Sequence, residues 1–111
     1  MAVAGAANPV NLPGGHSLQK NATGEYFVQN KSGRVSIHPA ILALGYDESW
    51  IVACVRNNDI REAETKRFVF MSVSKAGATD TINRNNWDYL IKEIPALGKI
   101  KLKQLGKEKC L

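Results

Sequence analysis

Two short apolar runs in the middle of the chain restrict the fold more than any other feature of the sequence. Residues 49–56 (SWIVACVR) and 66–73 (KRFVFMSV) are rich in Ile, Val and aromatic side chains, the residue types favoured in strands. The first run predicts a central strand buried on both faces. The second predicts its hairpin partner, and the polar residues 57–64 between them form an exposed loop.

The N-terminal half of the sequence predicts further strands. Residues 17–20, 25–29 and 34–38 are short, β-prone and separated by turn-forming Asn and Gly residues. The third strand is expected to stop at Pro39, because proline cannot donate to a sheet ladder. Residues 40–44 fit either a helical turn or an extended crossing, and residues 45–48 fit a turn.

The C-terminal half predicts one helix and a last strand. Apolar residues recur at helical spacing within residues 84–94, and Pro95 and Gly98 end the helix. Ile100 and Leu102 then alternate with lysines in an edge strand. The fold class is therefore α+β, an antiparallel β-sheet of five to six strands with one C-terminal-half helix packed on one face.

A chain of 111 residues has the size of one domain, so we expect a single domain over residues 1–111. Residues 1–15 form an extended N-terminal lead-in, because their prolines and the Gly14-Gly15 pair favour loop and turn conformations. No run of residues approaches the length of a membrane-spanning helix.

The formal net charge of +5 favours an acidic partner. Much of the excess lies near the C-terminus, in lysines 99, 101, 103, 107 and 109. A basic tail on a nearly neutral body is weaker support for nucleic acid binding than a basic face would be. We expect these lysines to form a solvated edge.

Cys54 and Cys110 are the two cysteines of the chain. Cys54 lies in an apolar run, where a thiol acts as a small hydrophobic side chain. Cys110 is next to the C-terminus, where chains fray. A bridge would require the tail to fold back, so the preferred interpretation is two reduced thiols.

The sequence contains no pattern that supports catalysis, a cofactor or a metal. His16 and His38 have no ligand spacing to Cys, Asp or Glu, and we expect both to be exposed. Cys54 is predicted to be buried far from either histidine, and the carboxylate pairs lie in polar turns, whereas general acid catalysis requires burial. We therefore expect a binding protein and not an enzyme.

The candidate partner-binding residues are polar side chains in two predicted exposed segments. The loop of residues 57–64 presents one apolar residue among charges, as interface loops do. The turn before the central strand adds a pair of acids. The candidates are Asp59, Ile60, Arg61, Glu62, Asp47 and Glu48.

The order of features along residues 12–94 resembles two groups of small bacterial proteins. NLPGGHSL, VSIHPAILALGYDESWIVA, RFVFMSV and TINRNNWDYLIKEI follow one another in this order. Uncharacterised bacterial proteins, many of them lipoproteins, share the Leu-Pro-Gly opening and the Gly-Tyr-Asp turn. The pattern is also similar to single-domain immunity proteins encoded beside contact-dependent or secreted toxins. This chain has no lipobox cysteine near its start, which puts membrane anchoring in doubt.

The resemblance implies an immunity protein that neutralises a cognate bacterial toxin by direct binding, in the cytoplasm. The first alternative is a periplasmic or membrane-associated accessory protein of unknown ligand. The protein would be periplasmic if a signal peptide has been removed. The second alternative is a nucleic-acid-binding domain that uses the basic tail.

Overall fold

The sheet is built around the two apolar runs of the sequence. A computed structural model describes residues 10–56, 66–73 and 79–110, and these residues form one antiparallel sheet of eight strands and two helices. The strands are β1 (Val10–Asn11), β2 (Ser17–Lys20), β3 (Tyr26–Gln29), β4 (Val35–Tyr46), β5 (Trp50–Arg56), β6 (Lys66–Ser72), β7 (Thr79–Asn83) and β8 (Lys103–Gln104). The helices are α1 (Arg84–Glu93) and α2 (Pro95–Gly98). Strands β1 to β7 are neighbours in chain order, and β8 pairs with β4.

The predicted antiparallel sheet with a helical region is confirmed, but the predicted count of five to six strands was too low. β1 and β8 have two residues each, which is too few for a periodic pattern. β7 (Thr79–Asn83) lies between the second apolar run and the helix, where no strand was predicted. The prediction that Ile100 and Leu102 lie in a strand is also wrong, since the strand forms after them, at Lys103–Gln104.

β5 is buried on both faces, as predicted, and its side chains alternate between two cores. Ile51, Ala53 and Val55 belong to a first cluster, which also draws on β2, β3, β4 and β6. Val52 and Cys54 belong to a second cluster, on the face that α1 and α2 cover. The register of β5 with β6 continues this alternation, because side chains on paired strands share a face.

β4 is longer than predicted because Pro39 does not end it. The strand runs over 12 residues. Its pairing with β3 shifts register between Val28↔Ile37 and Tyr26↔Ile41, so β4 has extra residues at this point. Pro39 lies inside this irregularity, where no ladder hydrogen bond is required of it.

The start of the described chain lies against the end of β6. The described part of the predicted lead-in consists of β1, Leu12 and a 3₁₀ turn over Pro13–Gly15. Gly14 has φ of +74°, and a Cβ placed there would be 2.8 Å from the side chain of Val73. The turn before β2 therefore meets the residue after β6, and the sheet curls around the first cluster, in which Leu12 is buried.

The second face is covered by α1, α2 and the chain that follows them. Trp87 stacks on Phe68 with ring centroids 4.4 Å apart. Leu90, Ile91 and Ile94 pack against the same cluster, so the helical stripe of the sequence faces the sheet. Leu97 of α2 is fully buried there.

Candidate partner-binding surface

Residues 99–110, here called the C-terminal segment, are attached covalently to the centre of the sheet. Cys54 of β5 and Cys110 form a disulfide bond with their Cα atoms 6.1 Å apart, and both side chains are buried. The expectation of two reduced thiols is wrong, because the segment folds back across the sheet. A cysteine 56 positions away in sequence gives no local sign of this contact.

Backbone pairing holds the middle of the C-terminal segment. β8 pairs with Ala43 and Leu44 of β4. This part of β4 extends past Tyr26, the first residue of β3, which pairs with Ile41. The amide of Leu105 donates to the carbonyl of Leu42 over 2.9 Å. The unoccupied edge of β4 thus receives the C-terminal segment as a short strand.

Gly45 allows the segment to approach β4 closely. A Cβ atom at this position would lie 2.5 Å from the carbonyl oxygen of Lys101 and 2.7 Å from the side chain of Ile100. A side chain does not fit there unless the C-terminal segment moves.

A charge cluster holds the far end of the segment. Nη2 of Arg56 donates to Oε1 of Glu108 over 2.6 Å, and Nη1 donates to Oε2 of Glu25 over 3.2 Å. The hydrogen bond with Glu108 is the main reason why the pKa of Arg56 is raised, and the same bond lowers the pKa of Glu108. These side chains are about two-fifths exposed, so the pairs orient the segment more than they stabilise it.

The attached segment carries five exposed lysines. Ile100 and Leu102 pack on the second cluster, and the residues that alternate with them point to solvent. Five lysines and one glutamate give residues 99–110 a formal charge of +4. We call the exposed lysines the lysine strip; they are Lys99, Lys101, Lys103, Lys107 and Lys109.

A groove of about 400 Å³, here called the helix-side groove, lies between α1 and the C-terminal segment, and most of its described lining residues are apolar. Buried Phe68 and Leu97 form its floor. Trp87 and Ile91 of α1 line one side. Of the eight described lining residues, seven lie within residues 87–102, and the tertiary structure brings Phe68 of β6 to them.

The opposite side of the helix-side groove belongs to the C-terminal segment. Ile100 and Leu102 line it, and both are half-buried. Gly98 and Asp88 also line the groove, and Asp88 is the one charged residue among the lining residues that the structure describes. The sequence signal for this surface was the alternation of lysines with Ile100 and Leu102, which we had assigned to an edge strand.

Of the predicted interface residues, the structure describes Asp47 and Glu48. Asp47 and Glu48 are exposed in the turn before β5. Oδ1 of Asp47 accepts the amides of Ser49 and Trp50, each over 2.8 Å, so this carboxylate shapes the turn. The candidates at positions 59–62 lie outside the described residues, in the connection that follows the other end of β5.

His16 is buried, contrary to the prediction, whereas His38 is exposed. Nδ1 of His16 lies 3.4 Å from the hydroxyl of Ser36, which also donates to the carbonyl of Val28. Burial lowers the pKa of His16 and favours the neutral ring. The pair has no third group within the hydrogen bonds described, so we assign it a structural role.

The described residues contain no cluster of three or more His, Cys, Asp or Glu side chains that could hold a metal ion. Within residues 10–56, 66–73 and 79–110, no helix is long and apolar enough to cross a membrane. The chain matches no protein family, no curated protein and no solved structure.

Proposed function

We propose that this chain is a non-catalytic binding domain that recognises an acidic protein surface through the lysine strip. The single observation that carries the proposal is the attachment of the basic C-terminal segment to the sheet by the Cys54–Cys110 disulfide. A flexible tail would lose conformational freedom on binding, whereas a segment held at both β8 and Cys110 has lost it on folding.

A protein partner fits the surface better than a nucleic acid does. Of the strand aromatics that could stack on bases, Phe68 and Phe70 are buried in the second cluster, and Tyr26, Phe27 and Trp50 are half-buried. Among the described aromatic side chains, Tyr46 on β4 and Tyr89 on α1 are exposed. Single-strand binders place such rings beside a basic groove. Here the C-terminal segment that carries the lysine strip also contributes Ile100 and Leu102 to the helix-side groove, so charged and hydrophobic side chains lie on one segment, as is common in protein interfaces.

The disulfide supports the periplasmic alternative for the location of this protein. Disulfides persist in oxidising compartments and are rare in the cytosol. We therefore propose that the domain works outside the cytoplasm, in place of the cytoplasmic location expected from the sequence.

The partner we propose is a bacterial toxin, and the support for this choice is the resemblance of residues 12–94 to immunity proteins. A neutralising protein acts by shape and charge complementarity and requires no reactive side chain. The lysine strip would then cover an acidic region of the toxin.

The test uses the purified protein encoded directly upstream of this chain. Its affinity for the wild type is measured by titration calorimetry, and its association rate by surface plasmon resonance. Lys99→Glu/Lys101→Glu should lower the affinity roughly tenfold, mainly through slower association, because exposed charges act chiefly on the encounter rate. The matched control is Lys31→Glu/Arg34→Glu, which reverses two exposed charges in the turn between β3 and β4.

Equal losses in the two double variants would refute recognition by the lysine strip. No binding by the upstream protein would refute the choice of a toxin encoded there. A single-stranded oligonucleotide serves as the third probe: binding that weakens steeply with salt, and that the Lys99→Glu/Lys101→Glu variant loses, would favour the nucleic acid alternative.

A further inference from the structure

We propose that the helix-side groove is an anchor site for one large apolar side chain, such as Phe, carried by an acidic segment of the partner. This inference rests on the proposed function, since it names the chemistry of the partner that the lysine strip attracts. The groove adds specificity that a row of lysines cannot provide, because charges at a rim discriminate little between acidic partners.

The size of the groove and the apolar side chains in its lining suit a large apolar side chain. Its volume of about 400 Å³ lies within the roughly 300–1,000 Å³ typical of ligand sites. Trp87 and Ile91 on one side and Ile100 on the other keep part of their apolar surface exposed. Filling the groove would remove this surface from water, which is the main favourable contribution to burying an apolar anchor.

The charges around the groove select an acidic segment. Lys99 and Lys101 are exposed and flank Ile100, a lining residue, in sequence, although neither lysine lines the groove itself. Asp88 of α1 is the acidic residue among the described part of the lining. Carboxylates next to the anchor side chain would therefore bind along the C-terminal segment and away from Asp88.

A second copy of this chain is a poor occupant. Each copy has a formal charge of +5 and presents the same lysine strip, so two copies repel one another at this surface. Charge complementarity thus favours an acidic partner of different sequence.

Both sides of the groove are held in place before binding. Trp87 is stacked on Phe68. Leu102 directly precedes β8, and the chain after β8 ends at Cys110 of the disulfide, so Leu102 lies in a segment that is attached to the sheet. An anchor would enter a site with preformed walls, which reduces the ordering cost of association.

Gly98 provides a way to fill the groove without disturbing the fold. It is exposed at the end of α2, and a Cβ built on it would lie 3.4 Å from Cβ of Ile91, an ordinary contact distance. Gly98→Leu therefore extends a side chain into the space that the anchor would occupy. Asp88→Asn is the complementary variant, since it removes the like charge that faces an acidic ligand.

The probe is a capped heptapeptide with three Glu on each side of a central Phe. Matched peptides replace Phe with Ala, or every Glu with Lys. Binding is followed by the fluorescence of Trp87 in a Trp50→Phe background, so that the signal comes from the groove itself. Each variant is first compared with the wild type by thermal unfolding.

The Phe peptide should bind at least about tenfold more tightly than the Ala peptide, which is the scale expected for burying one aromatic side chain. The Lys peptide should not compete. Gly98→Leu should reduce the affinity for the Phe peptide to that for the Ala peptide, and Asp88→Asn should increase it.

Equal binding of the Phe and Ala peptides would overturn the anchor site. If the Lys99→Glu/Lys101→Glu variant still bound the upstream protein more weakly than the wild type, the proposed function would stand without the anchor site. Failure of every acidic peptide to bind would also overturn the anchor site. Dimerisation in sedimentation velocity that Gly98→Leu abolishes would assign the groove to a second copy and refute the acidic partner.

Discussion

Removal of the Cys54–Cys110 disulfide should destabilise the protein strongly. The bond joins residues 56 positions apart and restricts the unfolded chain. Loop-closure entropy for a loop of this length corresponds to about 4 kcal/mol at 25 °C. For a chain of 111 residues, the unfolding entropy near 60 °C is about 0.23 kcal/mol/K, so this loss lowers Tm by roughly 15–20 °C.

The assay is thermal unfolding followed by circular dichroism, with and without a phosphine reductant. Cys110→Ala and Cys54→Ala/Cys110→Ala provide two further measurements, in which reductant should have no effect. Because the restriction on the unfolded chain is lost with either cysteine, most of the decrease should already occur in the single variant. Trypsin should also cleave the lysine strip faster in the reduced protein, since the covalent attachment of the C-terminal segment is gone.

Two outcomes would refute this reasoning. Alkylation of both cysteines in the folded, unreduced protein would show that the disulfide is not formed. A Tm for Cys110→Ala within a few degrees of the oxidised wild type would show that β8 and the packing of Ile100 and Leu102 hold the C-terminal segment without covalent help.

Two further changes test the buried histidine and the close approach at β4. Burial lowers the pKa of His16 below its ordinary value of 6.5. The unfolded state therefore takes up a proton at a higher pH than the folded state does. The contribution of neutral His16 to stability is present above pH 6.5 and decreases as the pH falls. Urea unfolding at several pH values should show a steeper acid loss for the wild type than for His16→Gln, with exposed His38→Gln as the control; parallel curves would contradict this assignment. Gly45→Ala should cost about 1–3 kcal/mol by overpacking against the C-terminal segment, whereas Gly106→Ala, whose Cβ meets nothing within 4 Å, should be nearly neutral in the same urea assay. Equal urea midpoints for Gly45→Ala and Gly106→Ala would show that the C-terminal segment moves away from β4 at no cost in stability.

The local pattern of the sequence was sufficient for the main elements. Strand β2 was predicted at residues 17–20, and β5, β6 and α1 within one residue at each end. Alternation of side chains has a period of two along a strand and 3.6 along a helix, so these elements are visible in a short window of sequence. The effect of Pro39 was predicted wrongly, because it depends on the register shift between β4 and β3. The missed strands β1, β7 and β8 likewise lacked a periodic pattern that could be recognised.

The candidate surface depended on contacts between distant residues. The sequence contained the lysines, the apolar residues between them and both cysteines, but it gave no indication that Cys110 meets Cys54. The sequence predicted Gly45 only as part of a turn, whereas the structure shows that it lies against the C-terminal segment. The predicted interface residues did not include any residue of the lysine strip, since a basic tail looks solvated when its folding is unknown.

The sequence by itself determined an antiparallel sheet with a late helix, because periodicity is a local property of the chain. Only the tertiary structure decided that the last twelve described residues, 99–110, form an ordered surface. The physical reason is that β8 pairing, the glycine contact and the disulfide each join this segment to β4 or β5, about 50 or more positions earlier. Interactions over such separations leave no periodic mark on the residues that make them.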